Sequence, residues 1–175
     1  MNKKAIPFAI FKSVYDIPLS FYKENGIKYV LLDLDNTLVS YKEKKPNPRV
    51  HSLIDSLKEN GIHIAIASNN TNKRVLDFAS DLGINAYCAL KKPFSGPLKK
   101  VMKKEGIEPK EALLIGDQIL TDVYAGNGAG IKVVLTLPLT RLDPPWTKIN
   151  RFLSKGKVKQ LLKDEYKYLW RGKYE

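Results

Sequence analysis

Short uninterrupted apolar runs alternate along this chain with longer segments in which apolar side chains recur every three or four positions. An apolar run of about four to eight residues suits a strand buried on both faces of a parallel sheet. The helical repeat marks an element with one covered face. Val30–Leu34 reads as a first strand. Arg49–Asn60 reads as a helix through Val50, Leu53, Ile54 and Leu57, closed by Asn60-Gly61. The rhythm continues with a strand at Ile62–Ala67, a helix at Lys73–Leu82 stopped by Gly83, and a short strand at Ala86–Leu90. It ends with a helix at Pro97–Glu105 before Gly106, a strand at Ala112–Ile115, a helix at Thr121–Asn127 and a strand at Lys132–Leu135. Strands alternating with helices predict a three-layer α/β/α domain around a mostly parallel sheet of about five strands.

Two segments fall outside this rhythm. Residues 1–28 are mixed apolar and basic, with Pro7 and Pro18 breaking any long helix, and are expected to pack on the core as an extension of the main domain, 29–143. Residues 144–175 are aromatic and basic. At 175 residues the chain suits one domain, and 43% apolar with 27% charged residues is the balance of a soluble globular protein. The charge balance is unusual: 30 lysines and arginines against 18 acids give +12. That favours anionic partners, whether phosphorylated substrates, nucleic acid or an acidic membrane surface, without choosing among them. A single cysteine, Cys88, excludes an intrachain disulfide and multi-cysteine zinc sites, and fits a reducing cytoplasm. The apolar stretch from Ala5 to Phe11 contains Pro7 and lacks a small-x-small cleavage site, so no signal peptide is expected. No uncharged stretch approaches the roughly 18–20 residues of a spanning helix. The expected location is cytoplasmic, with any membrane contact peripheral and at the inner face.

The candidate chemistry lies in polar clusters that follow the strands. Asp33-Leu-Asp35-Asn36-Thr37 ends the first, and two acids there suit a divalent cation plus a nucleophile and a proton carrier. The same residues can equally end a strand and open a turn. Ser68-Asn69-Asn70 ends the second; a hydroxyl and free N–H groups at a helix entrance suit phosphate oxygens, although Asn70 or Asn72 can also serve as an ordinary N-cap. Lys91-Lys92-Pro93 follows the third, where a lysine before proline is held extended, or is simply a solvated charge. Gly116-Asp117 ends the fourth, with Asp122 at the start of the next helix, a favourable place for any acid.

Taken in order, these clusters resemble the haloacid dehalogenase-like superfamily of phosphatases, whose pattern is Asp-x-Asp-x-Thr, then Ser or Thr, then Lys, then Gly-Asp-x(4)-Asp. The pattern falls on Asp33, Asp35 and Thr37, on Ser68, on Lys92, and on Gly116, Asp117 and Asp122, with no position missing. The resemblance implies a Rossmann-like fold. It implies Asp33 as the nucleophile that forms an aspartyl-phosphate, and Asp35 as the acid and then the base. Mg²⁺ is implied at Asp33, Asp117 and the main-chain carbonyl of Asp35. Ser68 and the N–H of Asn69 are implied to hold the phosphoryl oxygens, with Lys92 offsetting their charge. Lys92 is chosen over Lys91 because the functional lysine of this class usually precedes the proline. Asp122 is expected one layer out, orienting Lys92 or a metal-bound water, and Thr37 also stands in that outer layer.

Members of the superfamily often carry a cap domain. Here the interval from Thr37 to the Arg49 helix is a short Lys/Pro-rich loop, and that from Asn69 to Lys92 holds one helix and one strand. Neither has room for a cap, so the fold is expected to be capless and the site open to large substrates. The resemblance narrows to the bacterial YqeG-like family of subfamily IIIA, through Asp33–Leu38, Ser68–Asn70, Lys91–Pro93, Gly116–Val123 and Gly126-Asn127. Pro7 and Ile17 ahead of Gly26-Ile-Lys28 fit the same pattern. That family is similar to the mitochondrial phosphatidylglycerophosphate phosphatases. The resemblance therefore implies dephosphorylation of phosphatidylglycerophosphate to phosphatidylglycerol. A soluble phosphatase for a nucleotide, a sugar phosphate or a polynucleotide end is the alternative. From a different class, a noncatalytic phosphate- or RNA-binding module remains. From Trp146 onward, nine basic residues face three acids, and Ile149, Phe152, Leu153, Leu161, Leu162, Tyr166 and Leu169 recur at roughly helical spacing. Such a segment suits an anionic bilayer surface, or docks its apolar face on the domain.

Overall fold

The computed structural model describes residues 2–70, 73–140, 153, 156, 157, 160, 161 and 164–171. Six strands form one sheet in the order β1-β6-β5-β2-β3-β4, every pair parallel. They are β1 (Ala9–Phe11), β2 (Tyr29–Leu32), β3 (His63–Ala67), β4 (Asn85–Tyr87), β5 (Ala112–Gly116) and β6 (Lys132–Thr136). The α-helices α1 (Leu19–Glu24), α2 (Pro48–Glu59), α3 (Lys73–Asp81), α4 (Gly96–Glu105) and α5 (Tyr124–Ala129) cover it. Alternation along the strands separates two cores. Val30, Leu32, Ile64, Ile66, Leu113 and Ile115 face α1, α2 and α3. Leu31, Ala65, Ala67, Leu114, Val133 and Leu135 face α4 and α5. Caps set the helix ends: the Asn47 side chain accepts from Val50 N at 3.1 Å with Pro48 next to it, and Gly106 closes α4 at φ 66°.

The architecture is the expected three-layer parallel α/β/α, with one strand more than the pattern suggested. The additional strand is β1, three residues long at the sheet edge beside β6. With Pro7 just ahead and all three residues buried, it shows no alternation to read. The third strand is shorter than Ala86–Leu90, because Ala89 and Lys91 take positive φ (54° and 50°) and the chain leaves the sheet. Instead of a helix starting at Thr121, a wide turn with i→i−5 geometry spans Ile119–Val123 before α5 begins at Tyr124. Much of the tail expected to be amphipathic (Ile149, Phe152, Leu162) lies outside the described residues. Of those described, Leu161 and Leu169 are buried in the core on the α4/α5 face, and Trp170 bridges to Ile10 on β1.

Candidate active site

In this strand order the chain passes from β4 across to β5, on the other side of β2, so the sheet's switch point lies between β2 and β5. The crevice beyond the carboxyl ends of those two strands is where an open parallel sheet binds ligands. Asp33 leaves β2 there and Asp117 leaves β5. Past Asp33 the chain tightens into a loop: Leu38 N and Val39 N both donate to Leu34 O, and Asn36 N donates to Val39 O at 2.7 Å. Asn36 sits in the left-handed region (φ 63°), which asparagine tolerates better than branched residues do.

Lys92 binds the cluster together. Its side chain is 2% exposed, and its Nζ donates to Asp33 Oδ1 at 2.8 Å, Asp122 Oδ1 at 2.6 Å and the Ala67 carbonyl at 2.8 Å. All three ammonium protons are thereby used. Lys91 is exposed and points no charge into the cluster. The Asn69 side chain holds the Lys92 backbone on both sides, donating Nδ2 to Lys92 O (2.8 Å) and accepting from Lys92 N (2.7 Å). Ser68 is buried beside it, its Oγ accepting from Asn70 N at 3.0 Å. Thr37 is fully buried, and its Oγ1 has no hydrogen-bond partner among the described residues.

Asp122 is held from the opposite side, its Oδ2 accepting from Gln118 N (3.1 Å) and from Thr121 Oγ1 (3.4 Å). The wide turn at 119–123 lets a residue four positions beyond Gln118 reach back to its N–H. Gly116 makes this possible: a Cβ there would lie 2.3 Å from Asp122 Cγ. The glycine of the Gly-Asp-x(4)-Asp pattern is therefore a space requirement for Asp122.

Asp33, Asp117 and Asp122 each bring a carboxylate oxygen within 4.8 Å of the others, all three residues buried. Burial pushes the Asp33 carboxyl up; Lys92 opposes this, and Asp122 and Asp117 add to it. Burial by itself would lower Lys92, but Asp122 and Asp33 outweigh it and hold the ammonium charged, above its ordinary value. Three carboxylates against one ammonium leave excess negative charge in a buried pocket. An all-oxygen donor set of this kind fits a hard divalent cation. Asp122 already spends both oxygens on protein donors, so Asp33 and Asp117 are the better-placed ligands.

Asp35 stands apart from this cluster, its Oδ1 2.7 Å from Nη1 of Arg74 in the first turn of α3. Arg74 was not legible as a site residue: 39 positions separate it from Asp35, and a lone arginine opening a helix carries no pattern.

A family model for haloacid dehalogenase-like hydrolases matches residues 23–136, and these contain the whole cluster. The chain belongs to the haloacid dehalogenase-like hydrolases. The probable phosphatase YqeG of Bacillus subtilis (strain 168) is 32% identical over 151 residues, covering 86% of this chain and 88% of that protein. The phosphatidylglycerophosphate phosphatase 1, chloroplastic/mitochondrial, of Arabidopsis thaliana is 29% identical over 86% of this chain; this chain covers 49% of that longer protein. Among solved structures, the 3-deoxy-D-manno-octulosonate 8-phosphate phosphatase of Moraxella catarrhalis, in complex with magnesium, phosphate and KDO, superposes with a TM-score of 0.52. It is 25% identical over 65% of this chain and 70% of that one. Like these relatives, this haloacid dehalogenase-like hydrolase is a phosphatase.

Proposed function

We propose that this phosphatase hydrolyses a phosphate monoester carried on an anionic phospholipid, phosphatidylglycerophosphate, with Mg²⁺ as its ion. The observation that carries the reading is the lysine-centred carboxylate cluster, with no cap domain in the two intervals beside it. The interval 38–47 is a loop, and that between Asn69 and Lys92 holds α3 and β4, so neither supplies a domain over the site. The likeness to the plant phosphatidylglycerophosphate phosphatase over 86% of this chain supports the substrate. Asp33 attacks phosphorus in line and the bond to the leaving alkoxide breaks, leaving an aspartyl-phosphate. Asp35 gives its proton to that alkoxide, then takes one from the water that hydrolyses the intermediate, releasing phosphate and restoring Asp33. Lys92 keeps a fixed positive charge against the nucleophile and the transferring group, Ser68 and the Asn69 N–H hold the phosphoryl oxygens, and Asp122 keeps Lys92 aimed. Asp33 and Asp117, with the main-chain carbonyl of Asp35, hold Mg²⁺. The ion supplies the positive charge that lets a phosphate dianion sit among carboxylates.

The test is phosphate release from phosphatidylglycerophosphate in detergent mixed micelles, beside phosphoglycolate, a sugar phosphate and a nucleotide. A kcat/KM at least tenfold higher for the lipid supports the reading. Preference for a small soluble ester overturns the substrate and leaves the phosphatase standing.

A further inference from the structure

Charge is not spread evenly over the described surface. Because all strands are parallel, every loop that leaves a strand's carboxyl end lies at the pole that holds the active site. Exposed Lys12, Lys42, Lys44, Lys45, Lys73 and Lys91 all lie there. Among the described residues, the acids beside these lysines and outside the site are Asp16, in contact with Ser13, the half-buried Glu43, which accepts from Asn47 and Ser40 N, and the exposed Asp77 and Asp81 of α3, which line one pocket with Lys44 and Lys45. At the opposite pole the signs are mixed. Lys28 pairs with Glu111 at 2.7 Å, Lys104 lies near Glu105 at 3.7 Å, and Glu59 and Glu108 are exposed beside Lys58 and Lys110. Phe94, two residues after the catalytic lysine, is 71% exposed, more than the other large apolar side chains exposed among the described residues.

We propose that the catalytic pole is itself a membrane-docking face, on which the ring of lysines meets an anionic phospholipid bilayer and Phe94 enters its interfacial layer. The inference rests on the lipid-substrate reading and adds how that substrate is reached. Basic residues contribute about 1 kcal/mol each near an anionic leaflet, so the lysine ring supplies the attraction. The asymmetry between poles supplies a direction, turning the site toward the headgroups. An apolar ring at the rim suits the acyl–headgroup boundary, which a purely electrostatic polyanion does not require. The described tail residues Leu161 and Leu169 are buried against the sheet, so their apolar side chains are committed to the protein.

The experiment uses the full chain and sedimentation with vesicles of phosphatidylcholine alone or mixed with phosphatidylglycerol. Wild type is expected to bind only the mixed vesicles, more weakly as salt rises. Phe94→Ser and the double variant Lys44→Glu/Lys45→Glu should each weaken that binding at least fivefold, while Mg²⁺-dependent hydrolysis of p-nitrophenyl phosphate stays within twofold of wild type. Vesicle binding untouched by either variant overturns the proposal. So does binding to single-stranded RNA, with the same dependence on these residues, when no vesicle binding is seen. Detergent micelles presenting phosphatidylglycerophosphate separate the two ideas. If the enzyme hydrolyses the lipid there but its vesicle binding ignores these residues, the docking face fails and the substrate stands. If it binds vesicles as expected but prefers soluble esters, the substrate fails and the docking face stands.

Discussion

Arg74 and Asp35 form a salt bridge at 2.7 Å, so the residue expected to carry the proton is clamped by a helix that contributes nothing else to the cluster. The same guanidinium donates through Nε to Glu43 O at 2.8 Å and through Nη2 to Ser40 O at 3.3 Å. Arg74 thus ties Asp35 to the loop that leaves it, and sets where its carboxyl sits relative to Asp33. The planar fork makes all three contacts at once, which a lysine cannot.

Arg74→Ala is therefore expected to lower kcat about 10–100-fold on an alkyl phosphate, part of the contribution of a positioned general acid. The loss on p-nitrophenyl phosphate should be smaller, because that leaving group departs without a proton. Arg74→Lys should recover only part of the difference. Steady-state kinetics on the two esters check this, and equal losses on both would show that Arg74 supports the loop rather than the proton carrier.

Asp33→Asn should abolish turnover, since an amide cannot form the acyl-phosphate. It should also stabilise the metal-free protein at pH 7. The Asp33 pKa is raised by burial, so the native state holds that proton more tightly than the unfolded chain. Metal-free stability therefore falls as pH rises above the ordinary carboxylate range near 4. An amide carries no such penalty, and the melting temperature at pH 7 should rise by roughly 2–4 °C, the shift of about 1 kcal/mol in a chain of this size. Melts at pH 5 and 7 with and without Mg²⁺ test this; wild type should gain more from the ion at pH 7.

Gly116→Ala should drive Asp122 off Lys92, because the added methyl falls 2.3 Å from the carboxyl carbon. A loss of roughly 1–3 kcal/mol is expected from the overpacking, together with a drop in kcat. An unchanged denaturation midpoint would mean that the wide turn at 119–123 yields without strain.

Asp117→Ala should weaken Mg²⁺ binding more than Asp122→Ala does. Asp122 commits Oδ1 to Lys92 and Oδ2 to Gln118 and Thr121, and its removal should reach catalysis through the lysine. Calorimetric titration of the two variants decides it; the reverse order would exchange their roles.

Leu169→Ala should cost about 2–5 kcal/mol, the usual loss for a buried leucine. Leu169 is buried, and Trp170 next to it bridges to Ile10 and donates Nε1 to Leu161 O at 3.2 Å. A chemical denaturation curve for the variant measures this directly, and a midpoint equal to wild type would show that the tail adds no stability.

The alternation of apolar runs with helical stripes was enough to predict the layers, the parallel sheet and the order of the four polar clusters. These depend on local periodicity, and each cluster follows its strand within a few residues. The resemblance to the haloacid dehalogenase-like signature named Asp33, Ser68, Lys92, Asp117 and Asp122, which the structure brings to one crevice, where Lys92 touches both Asp33 and Asp122. Only the tertiary structure decided what depends on distant chain segments meeting. Lys92 rather than Lys91 turns inward because Asn69 grips its backbone from the next strand. Gly116 is needed because Asp122 occupies the space of its missing side chain, and Arg74 reaches Asp35 because α3 starts beside the loop after β2. The edge strand Ala9–Phe11 belongs with these. Three buried residues carry no period of their own, and become a strand only where β6 offers them its hydrogen bonds.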